Sequence, residues 1–375
     1  MLMWGVSLAA WLVLGGCSDG SDSSGNAQDR TLRMNQIQVL GTHNSYHIEP
    51  RASILEVLSQ FDPETALELE YTALPLAEQF DRGVRQIELD LFADPEGGLY
   101  AQRRGLLVVG QDPESGLPEL DEPGMKVLHV QDIDFETHCL TFKLCLTQMR
   151  DWSDLNPGHL PIIVMIEGKE DAIPDPLDLG FVVPLPFGPA EVDAIDQEIL
   201  SIFAPSRLIV PDDIRRGQDT LEQAVLNSGW LTLAEARGRF MFVFLNRSAA
   251  RDAYLDGHPS LVGRVMFTNS SVGDADAAWV NVNNSLNDFQ LIRNLVDAGY
   301  IVRTRADADT YQAREGDYSL QESAWASGGH TVSTDYVVPD PDYDSGYTAQ
   351  VPGGFVARCN PVNAPMDCDS SLIAP

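Results

Sequence analysis

The chain reads as an α/β protein folded as an irregular TIM (β/α)8 barrel. Eight β-type runs alternate with helical stretches along the sequence. Most of these runs are short and continuously apolar, as strands covered on both faces must be. The 375 residues, 44% of them hydrophobic, suffice for one large core of the size that barrels build as a single domain.

Taken in order, residues 1–16 are apolar and uncharged, too short to span a bilayer and suited to a signal peptide. They end in Leu14-Gly15-Gly16-Cys17, which resembles a bacterial lipobox and would leave Cys17 as a lipid-modified N-terminus. The segment departs from that pattern in having no Lys or Arg before the apolar run. Residues 17–33 follow as a tether, Ser-, Asp- and Gly-rich over 18–29 and expected to be flexible. The barrel is expected over 34–338, with strands at 37–40, 84–92, 126–130, 162–167, 240–245, 265–268, 300–304 and 331–337. Helices are expected at 74–80, 140–152, 191–203, 221–226 and 286–298, the last stopped by Gly299. Two segments break the alternation. Residues 94–125 are rich in Gly, Pro and acids and suggest an excursion or extra hairpin; residues 171–190 carry repeated prolines and suggest an extended loop. Both follow strands, and so would lie on the face where barrels bind substrates. A tail, 339–375, completes the chain.

Acidic residues outnumber basic ones, 56 to 24, for a formal charge of −32. This excludes nucleic acid as a partner, since phosphate backbones are gripped by clustered Lys and Arg. An anionic substrate would need a metal or a few placed cations against this field. The cysteines other than Cys17 fall in two close pairs, Cys139 with Cys145 and Cys359 with Cys368, without zinc-site spacing. In an oxidising compartment two local disulfides are the economical arrangement, which agrees with export to a bacterial cell envelope or secretion.

The chemistry-bearing residues gather at the ends of the first four expected strands. The stretch Leu40-Gly41-Thr42-His43-Asn44-Ser45-Tyr46-His47 offers a proton-transfer group beside a neutral oxygen ligand, with Tyr46 as a wall for whatever binds. Glu88 and Asp90 are two apart on a strand and face the same side. Two carboxylates turned into a barrel mouth need a metal, a cation or a shared proton. His129 lies in an otherwise apolar run, a setting more often structural than catalytic. Glu167 ends the apolar run from Ile162, and Lys169 follows on the same face; a plain salt bridge explains them as well as a binding role does. Later come Arg303 and Arg305, which could simply pair with Asp307 or Asp309, and Asp335 with Tyr336. His47 lines the site without an evident role, and His138, His159, His258 and His330 read as loop residues. Asn44, Glu88, Asp90 and Glu167 are all oxygen donors, which suits Ca²⁺, with Mg²⁺ second.

In this order, Gly41-Thr42-His43-Asn44-Ser45-Tyr46, Glu88-Leu89-Asp90, His129 and Glu167-Gly168-Lys169 resemble the phosphatidylinositol-specific phospholipase C superfamily, in its calcium-dependent bacterial branch. The resemblance spans roughly residues 35–337 and is specific in the first four strands. It implies a barrel of the PLC-like phosphodiesterase type. It further implies that Asn44, Glu88, Asp90 and Glu167 bind Ca²⁺, that His43 and His129 are the catalytic pair, and that Lys169, Arg305 and Tyr336 contact substrate. The implied reaction is cleavage of phosphatidylinositol or a related inositol phosphodiester by attack of the inositol 2-hydroxyl. Glycerophosphodiester phosphodiesterases share the barrel, a Glu-x-Asp pair and two histidines, but typically carry His-Arg-Gly where this chain has His43-Asn44-Ser45. A surface-binding lipoprotein that has lost catalysis is the non-enzymatic alternative. The expected partners are an inositol phospholipid or soluble phosphodiester, with membrane contact through the N-terminal lipid and the protein acting as a monomer.

Overall fold

The structure, a computed structural model, describes residues 27–374. Cys17, the signal segment and most of the expected tether fall outside the described residues. Eight parallel strands form the barrel: β1 (Ile37–Thr42), β2 (Gln86–Phe92), β3 (Ile162–Gly168), β4 (Phe240–Phe244), β5 (Phe267–Thr268), β6 (Trp279–Asn281), β7 (Ile301–Arg305) and β8 (Thr331–Thr334). β1 pairs with β2, β2 with β3, β3 with β4 and β4 with β5. On the other side β6 pairs with β7, β7 with β8, and β8 returns to β1. A single parallel bridge, Asn269 to Trp279, joins the β5 and β6 ends of the curled sheet.

The expected count of eight holds, but one member is exchanged. Of the run 126–130 only Lys126–Val127 is strand, and it lies antiparallel on the end of β2, opposite Leu91 and Phe92. Its continuous apolar character comes from covering β2, not from a place in the barrel. His129 therefore stands in a turn beyond it, braced by the Val130–Asp134 bridge. The place in the barrel goes to β6, whose three residues are too few to show a period. A further short strand, Leu208–Ile209, flanks β4. β8 ends at Thr334, so Asp335 and Tyr336 follow the strand instead of belonging to it.

The expected helices appear as Leu76–Asp81, Phe142–Leu155, Pro189–Ile202, Leu221–Asn227 and Ser285–Ala298. Asn284 caps the last, accepting from the backbone N–H groups of Leu286 and Asn287, and Gly299 ends it at φ 113°. Helices at Ala52–Phe61, Ser248–Leu255 and Ser319–Ser327 were not legible as periodic runs. Segment 94–125 is an excursion with two 3₁₀ turns, Arg104–Val109 and Pro118–Leu120, closed by an antiparallel bridge between Gln102 and Glu114. None of the helices among the described residues is long and apolar enough to cross a membrane.

Both ends of the described chain pack on the barrel. Residues 27–33, expected as tether, begin with a 3₁₀ turn whose Asp29 pairs with Arg237 at 2.7 Å, while Leu32 is buried. A buried carboxylate with an arginine partner fixes this stretch, whatever its composition suggests. In the tail, Ala357–Cys359 adds an antiparallel strand to the start of β1, so 339–374 belongs to the same body as the barrel. Disulfides join Cys139 to Cys145 and Cys359 to Cys368.

The strand faces explain how the mouth is built. Ile87, Leu89 and Leu91 are fully buried in the layer between barrel and helices, which turns Glu88 and Asp90 inward. Gly41 is required by its neighbour: a Cβ there would lie 2.0 Å from Oε1 of Gln86, whose Nε2 donates to the Thr42 carbonyl at 2.9 Å. Close approach of β1 and β2 thus sets where Thr42 and His43 emerge.

His330, expected in a loop, is a core residue. Its Nδ1 accepts from the Val302 N–H at 3.0 Å, and its Nε2–H donates to the Asn35 carbonyl at 2.7 Å. Only the neutral ring satisfies both bonds, and burial pushes its pKa from 6.5 down to about 4. The unfolded chain accepts a proton that the folded one refuses. Stability from this residue is therefore full above pH 6.5 and is lost as pH falls toward 4. The ceiling on that loss is about 3 kcal/mol. Denaturant midpoints measured at pH 7.5 and 5 should fall less between the two in a His330→Gln protein than in the parent; an equal fall in both would refute the assignment.

Candidate active site

The β1–β2 junction is tied by a polar cluster that fixes the backbone around His43. Thr42 Oγ1 donates to Gln79 Oε1 at 2.6 Å, Ser45 Oγ accepts from the Glu88 N–H at 2.8 Å, and the Ser45 N–H donates to the Glu88 carbonyl at 3.0 Å. Asn44 turns the chain at φ 40°, a left-handed conformation that Asn tolerates better than most residues. Its Nδ2 donates to the Tyr71 hydroxyl at 3.0 Å, and Oδ1 makes no hydrogen bond among the described residues. Tyr46 offers no open ring: the turn after β1 buries it completely, with its phenol close to Asp90.

Each of the two histidines expected to do proton chemistry is held through Nδ1 by a carboxylate. His43 Nδ1 lies 2.9 Å from Asp335 Oδ1, and Asp335 Oδ2 accepts from Arg305 Nη2 at 2.8 Å. Arg305 is itself held, donating from Nε to the Asp307 carbonyl at 2.7 Å. His129 Nδ1 lies 2.6 Å from Asp134 Oδ2. The same carboxylate takes His47 Nε2 at 2.9 Å, and the His47 ring packs 4.3 Å from Tyr71 and edge-on to His129 at 5.5 Å. In both cases Nδ1 is occupied, so Nε2 is the nitrogen left for a substrate.

The surroundings push the two histidines in opposite directions. Burial, with the charges of Arg305 and Arg303, lowers the His43 pKa well below its ordinary value. Burial also works against protonation of His129, but the hydrogen bond and charge of Asp134, helped by Asp90, outweigh it and raise that pKa.

The carboxylates converge as the strand register requires. Asp90 on β2 stands opposite Glu167 on β3, and Glu88 lies one pleat repeat below. Glu88, Asp90 and Glu167 each present an oxygen within 4.8 Å of the others. Arg303 Nη2 reaches Glu88 Oε2 at 3.1 Å, and Lys169 Nζ lies 3.2 Å from Asp90 Oδ2 and 3.8 Å from Glu167 Oε2. Burial nevertheless pushes the Glu88 carboxyl up to about 7, with Arg303 working against the shift. Both Asp90 oxygens are buried and lack a well-directed hydrogen-bond donor. A buried carboxylate whose Oδ1 has no donor, beside two further acids and the free Oδ1 of Asn44, fits a hard divalent cation. His47, His129 and Asp134 also lie within 4.8 Å of one another. There both ring nitrogens already point at one carboxylate over hydrogen-bond distances, so that group is a hydrogen-bonded triad, not a metal site.

Three expected substrate contacts are otherwise engaged in this structure. Lys169 lies against Asp90 and Glu167, and Arg305 is buried against Asp335. Tyr336 is 2% exposed and packs against Tyr343 and Tyr347, so its ring offers no open face. Arg303 pairs with Glu88, not with Asp307 or Asp309. A cavity of about 140 Å³ opens beside His43 and is lined by Thr42, Glu49, Asp335, Tyr336 and Asp340 among others. Sequence reasoning missed Asp134 and the part played by His47. The available signal was weak: an acid five residues after His129, in a loop without regular structure.

Residues 32–361 match the sequence profile of a family described as "Phosphoinositide phospholipase C, Ca2+-dependent". No curated protein matches the chain. Among solved structures, the calcium-dependent phosphoinositol-specific phospholipase C of a Pseudomonas species, in a myoinositol complex, superposes with a TM-score of 0.55 at 15% identity, covering 91% of this chain and 100% of that one. An apo crystal form of the same enzyme gives 0.53 at 14% identity, covering 90% and 98%. The Ca²⁺-dependent phosphatidylinositol-specific phospholipase C of Streptomyces antibioticus gives 0.50 at 17% identity, covering 81% and 95%. At these identities the superpositions establish the shared barrel.

Proposed function

This chain belongs to the Ca²⁺-dependent phosphoinositide phospholipase C family, an enzyme family of phosphoric diester hydrolases, and on that premise we propose that it cleaves phosphatidylinositol or a related inositol phosphodiester by attack of the inositol 2-hydroxyl on phosphorus. One observation carries this reading: two histidines, each with Nδ1 tied to a carboxylate, stand beside the cluster of Glu88, Asp90 and Glu167. The Pseudomonas structure that shares the fold was obtained with myoinositol, which agrees with an inositol headgroup as the ligand here.

Asn44, Glu88, Asp90 and Glu167 would hold the calcium ion. Bound there, calcium would acidify the attacking hydroxyl and offset charge on the phosphate oxygens. His43 Nε2 takes the proton from the 2-hydroxyl as its oxygen bonds to phosphorus. The bond from phosphorus to the diacylglycerol oxygen breaks, and His129 Nε2 gives that oxygen a proton. Diacylglycerol and a cyclic inositol phosphate result, and water can then open the ring with the two histidines in reversed roles. Asp335 and Asp134 are positioning residues, which hold each ring in the tautomer that presents Nε2. The roles divide by charge, since Arg303 and Arg305 surround His43 while Asp134 and Asp90 face His129. Lys169 and Arg305 would meet the phosphate or the inositol hydroxyls.

His43→Ala and His129→Ala should each lower turnover at least a thousandfold, on the order expected when general acid–base catalysis is removed together with ring contacts. Asp134→Asn should lower kcat roughly ten- to a hundredfold with little change in KM. Unchanged turnover in either alanine variant, with the far-ultraviolet spectrum retained, would sink the reading. Chelator should abolish cleavage, and Ca²⁺ should restore it better than Mg²⁺; full activity in chelator excludes the metal assignment. Product analysis with phosphatidylinositol and glycerophosphoinositol separates this reaction from glycerophosphodiester hydrolysis. Release of glycerol 3-phosphate from the soluble diester alone would favour the latter.

The two disulfides point to an exported protein. We further propose that Cys17 carries the lipid that tethers it to the envelope. A Cys17→Ser protein should leave the membrane fraction on cell fractionation; retention there would contradict the anchor.

A further inference from the structure

Lys169 holds an unusual position for a residue expected to wait for an anionic substrate. Its Nζ lies 3.2 Å from Asp90 Oδ2 and 3.8 Å from Glu167 Oε2, on two of the three acids best placed for a divalent ion. Its backbone cannot shift to make room. The Lys169 N–H donates to the Leu91 carbonyl at 2.8 Å. Gly168 before it is clamped by Asn246, which accepts from its N–H at 2.6 Å and donates to its carbonyl at 2.8 Å. The Phe187 ring closes the other side, 2.8 Å from where a Cβ on Gly168 would stand. Movement is left to the four-carbon side chain, which is 27% exposed and so has open space beside it.

Calcium takes carboxylate oxygens at roughly 2.3–2.6 Å. An ammonium group on the same two carboxylates would face a divalent charge at close range, and the repulsion favours its leaving. We propose that Lys169 is a resident counter-ion that calcium displaces: Nζ neutralises Asp90 and Glu167 before the metal arrives, then swings off them to meet the phosphodiester. Charge counting supports the exchange. Three carboxylates face two cations, Arg303 and Lys169, one positive charge short of neutrality. A divalent ion turns that deficit into an excess of one, which a phosphodiester anion cancels. Metal binding thus frees the cation that the substrate needs, and the two ligands favour each other's binding.

The inference rests on Glu88, Asp90 and Glu167 being the calcium site, and the test separates the two. Calcium titration calorimetry on the parent and on Lys169→Met should show tighter binding in the variant, roughly two- to fivefold, the range that a partly exposed ion pair contributes. The KM for phosphatidylinositol should move the opposite way and rise. Thermal unfolding provides an activity-free readout: the variant should melt lower than the parent in chelator but level with it in excess calcium. Weaker or unchanged calcium binding in Lys169→Met would overturn the exchange, as would equal destabilisation in both conditions. Asp90→Asn reports on the site itself. If it binds calcium as tightly as the parent, the site assignment fails and the exchange falls with it.

Discussion

Everything at the barrel mouth follows from one constraint, the burial of like charge. Glu88 and Asp90 leave the same face of one strand, and Glu167 arrives opposite Asp90 by strand register. Glu88 and Asp90 cannot retreat into solvent without unmaking the sheet, while Glu167 at the rim keeps part of its carboxylate exposed. In a chain with a formal charge of −32 the surrounding field gives no relief. The structure answers with two cations from different strands, Arg303 on β7 and Lys169 just past β3, each assigned to its own acid. They are not equivalent. Arg303 is 2% exposed, with a planar group fixed between Glu88 and Asn283, whereas Lys169 lies on a flexible stem at the rim. One charge is structural and the other is movable.

The scaffold suits that division because its rigid parts carry the acids and its irregular parts carry the histidine partners. β2 and β3 pair over six successive residues, so the Asp90–Glu167 spacing is set by backbone hydrogen bonds. His129 and Asp134 share a covering turn stabilised by the Val130–Asp134 bridge, and the Cys139–Cys145 disulfide closes the segment that follows. The site is therefore held from two sides: a sheet that cannot slip and a cover anchored to it along the end of β2.

How far the site could be read in advance depended on whether a residue's position followed from a period. Glu88 and Asp90 were legible because alternation on a strand leaves no choice of face once Ile87, Leu89 and Leu91 need the core. Glu167 and Lys169 were legible as a pair, yet the structure turns the lysine onto the acids, which no spacing rule dictates. Tyr46 lies past the end of β1, where no alternation sets its face, and the turn through Asn44 buries its ring. Asp134 was invisible because a turn placed it, and that turn depends on Asp132 capping Arg104 and Val182 from elsewhere in the fold. β6 escaped notice because three residues carry no pattern, while the run 126–130 imitated a barrel strand by covering one.

The asymmetry between the two histidines comes from the charges that surround two equally buried rings. Both rings are tied through Nδ1 to a buried carboxylate, and burial works against charge on each. The carboxylates differ in their other partner. Asp335 gives its second oxygen to Arg305, whose fixed positive charge cancels what the carboxylate would otherwise exert on His43. Arg303 lies nearby and tips the balance further, and the ring is driven toward the neutral form. Asp134 also takes His47 but has no guanidinium behind it, and its hydrogen bond and charge raise the His129 pKa against burial. Burial with two guanidinium charges about His43, set against Asp134 and Asp90 about His129, leaves one ring ready to accept a proton and its counterpart ready to give one.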